Sequence, residues 1–203
     1  IQTEQGEILI QGKNMKSLSV EDFIRCGVSH VPEDRNLQGL VGDMNISDNL
    51  LLKSLEEERF SVGKGLFLKK KAIKKYAKEL VEKYDIRCSD ISLEVRSLSG
   101  GNQQKVILAR ELESEPNLLV MVHPTRGLDI GATKFVHNQM IDARERGVGI
   151  LLISADFDEI LEMSDRILVI FEGQIMGEYS GQNPPVDKIG LAMTGSKEEE
   201  QND

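Results

Sequence analysis

The sequence predicts an α/β fold, a mostly parallel sheet flanked by helices, with a helical lobe inserted in its first half. Three observations predict it. Leu118-Leu-Val-Met-Val122 and Gly149-Ile-Leu-Leu-Ile-Ser154 are continuous apolar runs, the mark of strands buried on both faces. Helix-period segments from Ser99 to Glu113 and from Thr133 to Arg146 alternate with those runs, as in a parallel sheet built from strand–helix–strand units. The clearest amphipathic helix, residues 69–84, stands outside that alternation.

The elements follow in chain order. Residues 6–13 read as a short strand between glycines. Ser19 to Gly27 reads as a short helix, with Ser19 and Asp22 spaced as a capping box and Gly27 at its close. Val28-Ser-His-Val31 is a strand stopped by Pro32, and residues 32–43 read as loop. Asn45 to Leu52 starts another helix. Residues 55–68 are polar and then broken by glycine. Over 69–84, Ala72, Ile73, Tyr76, Ala77, Leu80, Val81 and Tyr84 share one stripe, and the lysines lie opposite. The Lys69-Lys70-Lys71 run has no interleaved aromatic residue and reads as a solvated helix start rather than a binding patch. Past Ser154, Asp156 to Glu162 reads as a helix. Residues 166–171 and 174–179 then form a hairpin about a Glu-Gly turn. Ser196 to Asp203 reads as a mobile charged tail. With the family resemblance drawn below, the chain is expected to divide into 1–43, a helical lobe over 44–95, a main body over 96–195 and the tail over 196–203.

Composition narrows the function. The chain has 203 residues, of which 39% are hydrophobic and 29% charged, so a core can form and disorder is not the default. A formal charge of −9 argues against a general nucleic-acid surface. No apolar run approaches the roughly 20 residues of a membrane helix. Two cysteines, Cys26 and Cys88, are too few for a disulfide framework, and the simplest setting for them is a reducing one. The opening residues lack the pattern of a signal peptide, and a start at Ile1 reads as part of something longer. His30 and His137 have no second ligand at metal spacing, and Met121, Met140 and Met163 read as core residues.

The most informative segment is Leu98-Ser-Gly-Gly-Asn-Gln-Gln-Lys105. Ser99 suits an N-cap, and Gly100-Gly101 at a helix start leave backbone N–H groups open where the helix dipole is positive. That is a site suited to phosphate, or an ordinary capped helix after a glycine turn. Downstream come Val122-His-Pro-Thr-Arg-Gly-Leu-Asp129 and Ser154-Ala155. In this order the motifs resemble those of the nucleotide-binding domain of ABC transporters. Residues 98–105 are similar to the signature motif, with Asn102 where glutamine is commoner. Residues 118–123 are similar to Walker B, 127–129 to the D-loop and 154–155 to the switch region. Pro32-Glu-Asp-Arg35 stands at the Q-loop position. Together with Pro124-Thr-Arg-Gly-Leu-Asp129, it resembles the second such domain of bacterial importers of simple sugars and nucleosides. The resemblance implies an ABC-type P-loop ATPase fold over residues 6–195.

The departures from that pattern are as informative. No Gly-x-x-x-x-Gly-Lys-Ser/Thr occurs, so the resemblance implies a fold whose N-terminal part is missing here, leaving a strand edge exposed. Val122 stands where the family places a Mg²⁺-holding aspartate, and valine offers a hard cation no oxygen. His123 stands at the catalytic glutamate position, either as a base or as a tolerated polar residue at a dead site. Ala155 replaces the switch histidine. Glu33 occupies the Q-loop position, where it forms an ion pair with a residue such as Arg35 or acts near metal. Arg126 could meet phosphate or a loop carboxylate. Asp129 caps a helix, faces a domain interface, or does both.

The resemblance therefore implies a part of the ATP-binding subunit of an importer. Ser99, Gly100, Gly101, Asn102 and Asp129 would complete an ATP site whose Mg²⁺ and Walker motifs lie on a partner nucleotide-binding domain. Residues 44–95 would dock on membrane-spanning permease subunits, at the cytoplasmic face of the membrane and without nucleic acid. The alternative is a pseudo-ATPase that only scaffolds or regulates such a complex. An ABC-type ATPase acting on DNA or ribosomes is disfavoured by the acidic balance.

Overall fold

The structure is a computed structural model that describes residues 5–63 and 66–196. The expected tail falls outside these residues from position 197 onward. The described chain divides into two compact units, one ending at Ile153 and the other beginning at Ser154.

In the first unit, residues 6–13 are not one strand. β1 (Leu9–Ile10) and β2 (Lys13–Asn14) pair antiparallel about Gln11 and Gly12, both at positive φ. A two-residue turn of that handedness matches the twist of a hairpin, so the chain folds back instead of running on. α1 (Val20–Arg25) carries the full capping box: Asp22 N–H donates to Ser19 Oγ and Ser19 N–H donates to Asp22 Oδ2. Gly27 follows at φ +76°, and β3 (Val28–Val31) begins. The expected loop 32–43 contains one π-helical turn, Arg35–Gly39, capped by the Asp34 carboxylate.

The lobe begins with α2 (Ile46–Leu51), capped by Asn45. It is not wholly helical. β4 (Ser61–Val62) and β5 (Phe67–Leu68) form a short hairpin before α3 (Lys70–Lys83). α3 buries Ile73, Ala77 and Leu80 from the predicted stripe, with Tyr84 buried just beyond it. The Tyr76 ring meets Phe60 at 4.8 Å, and the Arg59 guanidinium lies over both rings.

α4 (Gly100–Leu112) is the pillar of the unit, buried continuously from Val106 to Leu112. β6 (Leu118–Val122) pairs in parallel with β3 on one side and with β7 (Gly149–Ile153) on the other. α5 (Ile130–Glu145) joins β6 to β7. Asp129 caps it, as one reading of that residue expected, so the helix begins at Ile130, three residues before Thr133. Leu119, Met121, Val136, Met140 and Ala143 are buried around this sheet, so two of the three methionines expected in the core lie in it; Met163 is half-buried. Leu151 and Ile153 of β7 are exposed, and no strand pairs with the outer edge of β7 among the described residues.

The second unit holds α6 (Phe157–Met163), capped by Asp156, and the expected hairpin of β8 (Arg166–Phe171) and β9 (Gln174–Ser180). Its turn residues Glu172 and Gly173 both have positive φ. A helix the sequence reading missed, α7 (Val186–Met193), covers one face of this hairpin: Ile189 and Ala192 pack on Ile167 and Val169.

One buried ion cluster ties the first unit together. Glu111 of α4 is 1% exposed. Its Oε1 accepts from Arg110 Nε at 3.0 Å, and its Oε2 accepts from the His30 backbone N–H at 3.1 Å and from Lys53 Nζ of the lobe. Removing one member of a buried pair leaves the other charge uncompensated. Glu111→Ala is therefore expected to lower unfolding stability by about 3–5 kcal/mol. A denaturant titration checks this; a loss below about 1 kcal/mol, the size of a surface pair, would remove the cluster from this central place.

Candidate functional site

The expected signature residues lie at the start of α4, where three segments meet. Ser99 is in N-cap position, with its carbonyl accepting the first helical bond from Gln103 N–H at 2.9 Å. Its hydroxyl does not cap the helix. It accepts instead from Asn102 Nδ2 at 2.9 Å, while Asn102 Oδ1 accepts from Arg87 N–H at 2.8 Å. This corrects the expectation that the Ser99 side chain caps the helix. The first turn of α4 therefore has no side-chain cap, and Ser99 is exposed. N–H groups left without an intrahelical partner at a positive dipole end favour an anion.

Both glycines are set by close neighbours. A Cβ on Gly101 would lie 3.0 Å from the Ala132 Cβ of α5, and one on Gly100 would lie 3.2 Å from Arg35 Nη2. The starts of α4 and α5 thus approach too closely for larger residues. Asp129 accepts from Ala132 N–H at 2.9 Å as the N-cap of α5, so its capping role is present in the structure. Ser99, Gly101, Asn102, Lys105, Asp129 and Phe135 border an open groove of about 450 Å³. Along its side, Lys105 Nζ donates to Asp85 at 2.6 Å and lies 4.7 Å from the centre of the Phe135 ring. The hydrogen bond from Lys105 holds the Asp85 carboxyl below the usual carboxylate range.

Gln104, a residue the sequence reading gave no role, anchors the helix from behind. It is 2% exposed, and its Nε2 donates to Pro124 O at 2.9 Å, joining α4 to the loop after β6. In the sequence it stands between Gln103 and Lys105, and no local signal sets it apart; the partner that fixes it lies 20 residues away.

The Walker B positions lie at the end of β6. Val122 pairs with Ile153 and offers only a methyl-bearing side chain. His123 follows at φ +46°, its N–H donating to Ile153 O at 2.8 Å and so extending the ladder. Glu33 does not pair with Arg35. It forms an ion pair with Arg126, 93 residues away, so Arg126 meets a carboxylate within its own unit. Arg35 instead donates from Nη1 to Arg126 O at 3.2 Å. Ala155 belongs to the second unit and is exposed. Among the described residues, no three His, Cys, Asp or Glu side chains gather as a metal site. Cys26 and Cys88 are free and half-buried.

A helix start opened by Ser-Gly-Gly thus stands with an apolar parallel strand and an Asp-capped second helix. The model of the ABC transporter family matches residues 1–126. The chain belongs to the ABC transporter family. Among its relatives, the guanosine import ATP-binding protein NupO of Bacillus subtilis is 41% identical over 198 residues, which is 98% of this chain and 38% of the relative. The glucose import ATP-binding protein TsgD13 of Haloferax volcanii is 42% identical over 192 residues, 94% of this chain and 34% of the relative. This ABC transporter chain thus spans less than two fifths of the length of either. The ATP-binding cassette MJ1267 superposes with a TM-score of 0.74 over 95% of this chain and 76% of its own, at 21% identity. The dimeric post-hydrolysis cassette MJ0796 gives 0.71 over 87% and 74%, at 19% identity. At such identities the likeness speaks for the fold, which is that of an ABC ATPase domain.

The Gln104 anchor generates a prediction. Gln104→Leu leaves the Pro124 carbonyl without its buried donor. It is expected to destabilise the protein by about 1–3 kcal/mol, read as a shift in a urea unfolding curve. A shift indistinguishable from zero would show that the helix is held by packing alone.

Proposed function

We propose that this chain is part of the ATP-binding subunit of an ABC importer for a nucleoside or a simple sugar. In this reading it lends Ser99, Gly100, Gly101 and Asn102 to an ATP site whose Mg²⁺ and Walker motifs lie on a second nucleotide-binding domain. Its own Walker side does not turn over. The observation that carries the reading is the asymmetry between the two faces. The signature helix start is uncapped, exposed and backed by two constrained glycines. The Walker B positions carry Val122 and His123, and the switch position carries Ala155.

The chemistry follows from that division. Backbone N–H groups and the Ser99 hydroxyl would meet the γ-phosphate of ATP held by the partner, so that ATP binding draws the two domains together. Asp129, at the groove, would face the same interface, and Glu33 would hold the Q-loop position through its ion pair with Arg126. His123 has no catalytic part in this reading, because the aspartate that would hold a metal beside it is a valine.

Three further features support the assembly. The relatives named for guanosine and glucose import together favour a nucleoside or sugar cargo without choosing between them. The lobe hairpin exposes Val62, Leu66 and Phe67, an apolar tip suited to docking on permease subunits at the cytoplasmic face of the membrane. The open edge of β7, with Leu151 and Ile153 exposed, suits a further parallel strand from the same parent protein. Erosion of the Walker side alone favours a second reading, a non-catalytic scaffold.

Steady-state ATPase activity of the full-length subunit, assembled with its permease, separates the two. Ser99→Arg puts a long cation where the γ-phosphate would sit. It is expected to lower activity roughly a hundredfold or more, as loss of a preorganised anion site does. His123→Ala is expected to stay within about twofold of the parent. Unchanged activity in Ser99→Arg would leave the scaffold reading in its place.

A further inference from the structure

Arg35 lies in the segment between β3 and the lobe, and the sequence reading gave it no part beyond an ion pair with Glu33. In the structure its guanidinium is half-buried at the junction of three segments. Nη1 donates to Arg126 O at 3.2 Å. Nη2 lies 3.2 Å from where a Cβ on Gly100 would stand and 3.6 Å from the same point on Gly127. One planar group of the 32–39 segment therefore hydrogen-bonds the loop that leads to Asp129 and lies beside the start of the signature helix.

The segment carrying Arg35 is itself firmly held. Asp34 accepts from Asn36 and Leu37 N–H at 2.9 and 3.0 Å, and Gly39 N–H donates to Asp34 O at 3.2 Å, closing the π-helical turn. The far end of the turn is fixed to α4 by Arg110 Nη2, which donates to Gly39 O at 2.8 Å in a buried bond. Two residues later, Val41 exchanges both backbone hydrogen bonds with the side chain of Asn49 in α2, at 2.9 and 3.1 Å. The turn is thus clamped at one end to the lobe and to the C-terminal half of α4. At the other end, Arg35 reaches the N-terminal start of the same helix. The Glu33–Arg126 ion pair doubles the link on the loop side.

A cation beside a helix N-terminus opposes the helix dipole, and an anion over the helix start relieves it. Arg35 is placed so that its charge is best accommodated when phosphate arrives. We infer that Arg35 is a positioning residue that pins the signature helix start to the loop leading to Asp129, so that both edges of the partner's ATP site move as one body with the 33–39 segment and the lobe. The inference rests on the proposed composite site. It adds the element that fixes the distance between that site's two edges. A lysine cannot do the same work, because its single ammonium does not span Arg126 O and the helix start in one plane.

The test is the ATPase activity of the full-length subunit with its permease, resolved into kcat and the KM for ATP, alongside amide hydrogen exchange. Arg35→Ala is expected to lower kcat about tenfold or more, since a misplacement of about 1 Å can cost roughly a hundredfold. The KM for ATP is expected to stay within about twofold, because ATP is held by the other domain's Walker motifs. Exchange is expected to quicken at residues 99–102 and 124–129 and to remain unchanged across α3. Arg35→Lys keeps the charge and the fold and is expected to recover less than half of the lost kcat. Arg35→Ala and Arg35→Lys both at parental kcat, with Ser99→Arg inactive, would overturn this inference and leave the composite site standing. Parental activity in all three variants would overturn the composite site itself. A fall in kcat matched by quickened exchange throughout the unit would also overturn the positioning role, by showing a general loss of structure.

Discussion

A carboxylate that is charged and almost wholly removed from water must be compensated from every side, and Glu111 is such a group. Its compensation comes from Lys53 of the lobe, Arg110 of its own helix and the backbone of His30 in β3. These groups lie 58, 1 and 81 residues away in the chain, so one side chain fixes the lobe, the pillar helix and the edge strand together. Arg110 then carries the constraint onward to Gly39 O, and so to the turn that bears Arg35. The orientation of α4, and with it the direction in which its N-terminus points, follows from this cluster more than from any feature at the site.

The site end of α4 shows the opposite economy. There the side chains that could close the helix are turned to each other, Asn102 toward Ser99 and Arg87, and the backbone donors are left facing the groove. An open helix end is unfavourable by itself, and the buried half of the helix makes it tolerable. Gln104 and the glycine contacts hold the opening in place without filling it. The helix is therefore built with rigidity at one end and unsatisfied donors at the other, which is the arrangement an anion-binding helix needs.

Much of this was legible in the sequence because the signals were local. The Ser19–Asp22 box, the Asp129 cap, the apolar runs of β6 and β7 and the Glu172–Gly173 turn each depend on residues a few positions apart. What was missed depended on distance or on weak local chemistry. Gln11 at positive φ is not a usual turn former, so the β1–β2 hairpin looked like one strand. The strands of the lobe hairpin are two residues each, too short to show alternation. α7 begins after two prolines and contains Gly190, which hid its period. Arg126 is far from Glu33 in sequence and Arg35 is near, so proximity along the chain favoured the wrong partner. The hydroxyl of Ser99 illustrates a further limit: a good capping residue caps only if no better donor is offered to it.

The parallel pairing of β3 with β6 spans about ninety residues, with the whole lobe threaded between the two strands. On a ribosome adding about 5–20 residues per second, β3 waits roughly 5–20 s for the strand that will lie beside it. α1 and its capping box can form at once, and the lobe can close on its own aromatic cluster during the wait. Glu111 emerges only just before β6, so the cluster that joins lobe, helix and strand is completed at about the time β3 gains its partner. The nascent chain therefore holds β3 unpaired while residues 32–118 are made, and the timing of translation through that stretch bears directly on how much of it reaches the native fold.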